Sequence, residues 1–278
     1  MNFLASSQGF ILEQIIVAIV VITIICFVMY KLDVFSYIKY LINLIRGTAK
    51  LADERDTSCV VVGMQNSSTY GSCSGSKLDS DNMCNVLSRY GNTKLLQSKQ
   101  ATRSTVISAL DNALKKKLCV FYYSGHGGQE KNSKGVDGMA EFLCLNDGPL
   151  YDFEIWNYIQ SAKGRVVMIF DCCHSATMYR EIPGEKTVTH LKNTGFSFKM
   201  LKSAIASTSK NILVWAGCPS DSYSYGGMDG GVFTNGILKN LDKDDTYDDV
   251  WDRAYKYAKD QNPVRTTIGT GFDGKVFR

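Results

Sequence analysis

Histidine is scarce in this chain: His126, His174 and His190 are the only three among 278 residues, which narrows the search for a catalytic base. No CxxC pair with zinc-site spacing occurs, so the usual cysteine-rich zinc modules are excluded. The nine cysteines show no regular disulfide framework, and nine is an odd number. Several sit inside apolar, strand-like runs, a pattern that fits buried thiols in a reducing compartment. The net charge is only +4, and no dense basic patch with interleaved aromatics appears, so nucleic acid is not an implied partner. No internal repeat is present. Hydrophobic content of 45% and charged content of 21% are those of an ordinary globular protein.

Charge is also absent from residues 15–30, IIVAIVVITIICFVMY. Extended back over Phe10, Ile11 and Leu12 the run reaches about 20 residues, enough to span a bilayer. Glu13 and Gln14 interrupt that extension. A cleaved signal peptide is the weaker reading, because MNFLASSQ carries no positive charge and no A-x-A-like site follows. A buried globular helix is the other alternative, but the run has no polar face. Lys31, Lys39, Arg46, Lys50 and Arg55 follow the run and no basic residue precedes it, so the positive-inside rule puts the C-terminal side in the cytoplasm. The reading is therefore a membrane anchor over 1–31, an amphipathic juxtamembrane segment and linker over 32–57, and one domain over 58–278.

From residue 58 the pattern is α/β. Strands are expected at 59–63, 93–97, 118–123, 165–170 and 212–216. Helices are expected at 79–89, at 104–117 with Ser104 as N-cap, and at 247–259. Strands separated by helices imply a mostly parallel sheet covered on both faces. Residues 180–202 are basic and weakly patterned, and read as a long surface loop.

Ligands of such sheets bind beyond the carboxyl ends of the strands. After LCVFYY come Ser124, Gly125, His126, Gly127 and Gly128. After RVVMIF come Asp171, Cys172, Cys173, His174 and Ser175. If the two strands are near neighbours, a cysteine and a histidine meet at one edge of the sheet. An imidazole beside a thiol shifts it towards the nucleophilic thiolate. The flanking glycines let a substrate backbone approach, and the N–H groups of Gly127 and Cys173 are candidate oxyanion donors. The bland alternatives are a packing cysteine and a histidine in a turn. His174 adjoins Cys173, and adjacent residues rarely face each other; His190 has no supporting context.

FYYSGHGGQ (121–129) and IFDCCHS (169–175) resemble the two signature segments of metacaspases, and the likeness runs through most of 59–278. The Q-A-C-x-G signature of caspases is absent. The resemblance implies a caspase-like α/β/α sandwich and a cysteine endopeptidase, with His126 as general base or acid and Cys173 as nucleophile. Cys172 falls at the family's variable position. Asp171 resembles the acidic floor of the S1 pocket. GSKLDSDNM (75–83) is similar to the G-C-x-N-D segment, with Ser76 and Leu78 as departures, and makes Asp79 a second S1 carboxylate; otherwise Asp79 is a helix N-cap. Two carboxylates favour a P1 Arg or Lys, so the implied partners are proteins or peptides with a basic P1. WAGCPSDSYSYGG (215–227) and GGVFTNGIL (230–238) are similar to the small-subunit segments, which puts Ser224 and Tyr225 along the substrate cleft.

Many metacaspases bind calcium through clustered carboxylates. Here Gly138, Met139, Ala140 and Glu141 stand where Asp-Glu is common, and Tyr151 and Asp152 where an Asp pair is. The Asp expected further on, after the nucleophile, aligns with Arg180 or, with one inserted residue, Glu181. The calcium requirement is therefore expected to be weak or lost, with the Arg180 guanidinium supplying positive charge in the metal's place, and no other cofactor is implied. Arg180, Lys186, Lys192 and Lys199 are candidate self-cleavage points. The resemblance implies a monomer. The rival readings are a catalytically silent, membrane-tethered scaffold with the same fold and a caspase-fold peptidase of other specificity.

Overall fold

Apolar, β-branched runs alternate with helices and build the sheet from its middle outwards. β1 (Thr57–Gly63) is followed by the small hairpin β2 (Asn66–Ser67) and β3 (Gly71–Ser72), then by α1 (Ser76–Leu87), β4 (Asn92–Gln97), α2 (Arg103–Ala113) and β5 (Leu118–Ser124). An antiparallel meander comes next: β6 (Gly127–Val136), β7 (Met139–Leu145) and β8 (Gly148–Tyr151), closed by α3 (Asp152–Ile159). The chain continues through β9 (Arg165–Asp171), β10 (Met178–Arg180), β11 (Thr189–Asn193), β12 (Ile212–Ala216), β13 (Gly226–Gly227), β14 (Gly230–Gly231), α4 (Val232–Leu238), α5 (Tyr247–Tyr257) and β15 (Val264–Ile268). The computed structural model describes residue 21 and residues 56–172, 178–180, 189–193, 196, 198, 208–219 and 224–278. The apolar run at 15–30, apart from residue 21, the bulk of the 32–57 segment, and Cys173 lie outside them. Among the described residues, no helix is long and apolar enough to cross a membrane.

The main sheet has the order β15-β12-β9-β5-β1-β4, with every pair parallel except β12–β15. Its central strands are buried on both faces. On one face Val60, Phe121, Met168 and Val214 pack with Val106 and Leu110 of α2 and Ile155 and Ile159 of α3. On the other face Val61, Tyr122, Ile169 and Trp215 pack with residues of α1, α4 and α5, among them Met83, Phe233 and Tyr247. Of the described cysteines, Cys59, Cys73, Cys119, Cys144, Cys172 and Cys218 are buried. Burial raises the Cys59 thiol to about 12 and pushes Cys144 and Cys172 well above the ordinary range.

Several elements differ from their sequence expectation. α1 starts at Ser76, with Gly75 as a left-handed N-cap, so Asp79 lies inside the helix and is not its cap. α2 is capped by Thr102 and not by Ser104; the Thr102 hydroxyl accepts from the Thr105 N–H in a capping box. The stretch read as a surface loop contributes β11, and with Arg180 the last residue of β10, to a second, antiparallel sheet of order β10-β11-β6-β7-β8. Phe196 and Phe198 from the same stretch are buried against Phe170, with centroids 4.5 and 6.1 Å away. A basic composition hid these two apolar anchors. The meander leaves a weak sequence pattern because its first strand, β6, alternates poorly and carries several Gly and Lys residues.

Leu110 is fully buried between α2 and the sheet. Leu110→Ala should cost about 2–5 kcal/mol, read from urea unfolding. Lys115→Ala breaks an exposed i,i+4 pair with Asp111 and should change stability by no more than about 0.5 kcal/mol.

Candidate active site

The register of β5 and β9 decides what meets at the C-terminal rim of the sheet. These strands are direct neighbours, and Ser124 stands opposite Asp171. The Gly125 N–H donates to the Asp171 carbonyl at 3.3 Å. His126 comes two residues after Ser124, in the short link between β5 and β6. It is 2% exposed. Its Nε2 lies 2.9 Å from the Ser72 carbonyl oxygen. A carbonyl only accepts, so Nε2 carries the proton in this contact, and in the neutral tautomer Nδ1 is the ring's acceptor. The backbone around it is held too: the His126 carbonyl accepts from Tyr123 Oη–H at 2.7 Å and from the Cys144 N–H at 3.0 Å. Gly127 opens β6 opposite Leu143 and is buried.

Asp79 and Asp171 come together although 92 positions separate them in sequence. Both are essentially unexposed. Asp171 Oδ1 accepts from Ser224 Oγ at 2.6 Å, and Oδ2 accepts from the Thr234 N–H at 2.9 Å and its hydroxyl at 2.7 Å. Asp79 accepts from Ser124 Oγ at 2.8 Å and from the Gly231 N–H at 2.9 and 3.1 Å. A Cβ on Gly230 would run into the Asp79 carboxylate, and one on Gly231 into Asp171. Gly230 also has φ +92°, a left-handed conformation. The Gly-Gly strand thus lets one backbone segment pass between two carboxylates. Burial first, and then the Asp171 charge, raise the Asp79 carboxyl to about 7, against opposing hydrogen bonds from Gly231 and Ser124.

Ser224 is buried on Asp171, whereas the Tyr225 ring is exposed. Gln261 fixes both: its Oε1 accepts from the Tyr225 N–H and from Ser224 Oγ, the latter at 3.1 Å. Cys172 is 4% exposed and belongs to the core cluster around Phe170. Its neighbour Cys173, the expected nucleophile and second oxyanion donor, lies outside the described residues. Among the described residues no group of three or more His, Cys, Asp or Glu is placed to hold a metal. Glu141 and Asp152 are fully buried. Arg180 stands in β10 opposite Thr189.

Ser72, Ser124, Thr234 and Gln261 hold these groups in place, and none of them has a role assigned from the sequence. Ser124 was visible as the residue closing an apolar strand just before the Gly125-His126 pair. Thr234 lies inside a segment already singled out. Ser72 acts through its carbonyl and Gln261 sits outside every motif, so neither left a local signal.

Residues 56–264, well over half of the chain, match the family model described as the caspase domain. The chain belongs to the caspase-domain family. Members of this family are cysteine peptidases, hydrolases that act on proteins. The caspase-domain chain is also similar to a crystal structure of a protein from Geobacter sulfurreducens, with a TM-score of 0.62 and 24% identity over 80% of this chain and 98% of that one. At that identity the likeness speaks for the fold alone. No curated protein matches the chain.

The raised Asp79 carboxyl gives a signed prediction. With its folded value near 7 and its ordinary value 3.8, the folded state holds more protons than the unfolded one between those limits. The corresponding stability is complete below about pH 4 and is lost as the pH rises towards about 7. Urea midpoints measured across this window should fall with pH, and Asp79→Asn should flatten that fall.

Proposed function

We propose that this chain is a metacaspase-type cysteine endopeptidase that cuts after Arg or Lys. The observation that carries the reading is the pair Asp79 and Asp171, two carboxylates buried at the rim of the sheet beside the His126 link. A buried pair of like charges is costly unless a cation joins it. The P1 guanidinium, with its planar fork of donors, suits two carboxylates best, and the P1 ammonium of lysine answers them as a point charge. An acidic P1 would be repelled. Because the β13–β14 hairpin rests on the pair, P1 binding shifts that glycine-rich hairpin off the carboxylates. Its composition, GGMDGG, leaves little side-chain packing to oppose the shift.

In this reading Cys173 is the nucleophile. Cys172 is unsuited to the role, because its thiol is packed in the core and held protonated by burial. His126 and Cys173 each follow the paired residues Ser124 and Asp171 by two positions, which supports their meeting. His126 Nδ1 takes the thiol proton while Nε2–H stays on the Ser72 carbonyl. The thiolate attacks the scissile carbonyl, and the N–H groups of Gly127 and Cys173 receive the oxyanion. The imidazolium then gives its proton to the leaving amine. Water hydrolyses the acyl-enzyme with the same ring as base. Ser224 and Tyr225 flank the bound strand, with Gln261 holding their backbone in place.

Further parts of the proposal rest on sequence. The uncharged run at 15–30 anchors the chain in a membrane as a single pass, with the peptidase domain on the cytoplasmic side, and the enzyme works as a monomer. The calcium requirement is weak or lost, supported by the Gly138–Ala140 and Tyr151 departures from an acidic ligand set.

The test is cleavage of fluorogenic peptides carrying P1 Arg, Lys or Asp, with and without calcium, beside Cys173→Ala. Cleavage after Arg and Lys but not Asp, lost by a factor of about 10³ or more in the variant, is the expected result. Cleavage after Asp, or strict dependence on calcium, would count against the corresponding part.

A further inference from the structure

Among the described residues β4 is the last strand of the main sheet, and no described strand lies along one side of its backbone. Its side chains alternate. Gln97 turns to α1, where its amide donates to Ser80 Oγ and Asp81 Oδ1, both at 2.8 Å. Lys94 and Leu96 instead line a groove of about 760 Å3 between β4 and α2, a volume typical of ligand sites. Thr105, Ser108 and Asn112 of α2 form the opposite wall, and Lys99 stands among the lining residues. Among the described residues no Asp or Glu lines the groove. Lys94 and Lys99 are exposed, and among the described residues neither joins an ion pair. An open strand edge beside a groove with two unpaired cations, several hydroxyls and no acid is therefore available.

We propose that this groove docks an extended acidic peptide segment of another protein, added as a seventh strand along β4. Strand addition supplies main-chain hydrogen bonds to the free edge, and alternate side chains turn down into the groove. Charge decides the occupant. Lysines on an edge disfavour pairing with a second copy of this chain, which brings the same lysines, and favour a strand carrying carboxylates. The hydroxyls and amides of α2 serve the polar side chains of such a strand. β4 lies two strands from β5, about 10 Å at the usual strand spacing. The docked segment therefore runs beside the proposed catalytic rim without entering it, and the inference does not depend on the proposed specificity.

The probe is a fluorescein-labelled peptide of ten residues that alternates glutamate with valine or threonine. It lacks Arg and Lys and so offers no basic P1. Anisotropy with the full chain should show saturable binding, weakened at least tenfold in the charge-reversal variant K94E/K99E. Both lysines are exposed, and the unmodified chain provides a second readout: the peptide should slow amide hydrogen exchange across 92–97. Absence of peptide binding, equal binding by K94E/K99E, or slowed exchange elsewhere and not in β4 would overturn the proposal. Binding of a single-stranded oligonucleotide in the groove with no peptide binding would overturn it in favour of a nucleic-acid surface.

Discussion

The burial of two carboxylates against one stretch of glycine backbone constrains much of this domain. Asp79 comes from the first turns of α1 and Asp171 from the end of β9, and both meet the Gly230–Gly231 strand. Each carboxylate is satisfied by donors from other elements: Ser124 at the end of β5, Ser224 before β13 and Thr234 in α4. Removing water from two like charges is costly, and their hydrogen bonds offset only part of that cost. The rise of the Asp79 carboxyl to about 7 records the remainder. In the proposed reading, a cationic side chain between the two carboxylates would relieve what remains of that cost.

The same rim positions the imidazole by a separate route. The antiparallel meander begins one residue after His126, and its second strand donates the Cys144 N–H to the His126 carbonyl. The hairpin β2–β3 supplies the Ser72 carbonyl that fixes the ring's tautomer. Neither element belongs to the parallel sheet. The main sheet sets the register of the two strand ends, and the smaller additions orient what projects from them.

The parallel strands were legible in the sequence because CVVVG, LCVFYY and RVVMIF are short apolar runs with little ambiguity of period. The motifs single out Asp79, His126 and Asp171, and the structure buries all three at the rim of the sheet. The contacts around them were not legible. Gln261 reaches Ser224 and Tyr225 from beyond α5, and a pairing over that separation leaves no local pattern. The buried Phe196 and Phe198 were obscured by basic neighbours, since composition averages over the two anchors that decide burial. Thr102, Ser104 and Thr105 stand within four positions, and only geometry chooses the cap among such hydroxyl acceptors.

In the proposed function Asp79 and Asp171 recognise a cationic P1 side chain. The most direct measurement compares the affinity of two peptide aldehydes that differ only at P1, one with arginine and one with its uncharged isostere citrulline. The account predicts that the arginine aldehyde binds at least about 100-fold more tightly, the scale of one buried charge-assisted pair, and that Asp79→Asn closes most of the gap. Equal affinities for the two aldehydes would contradict it.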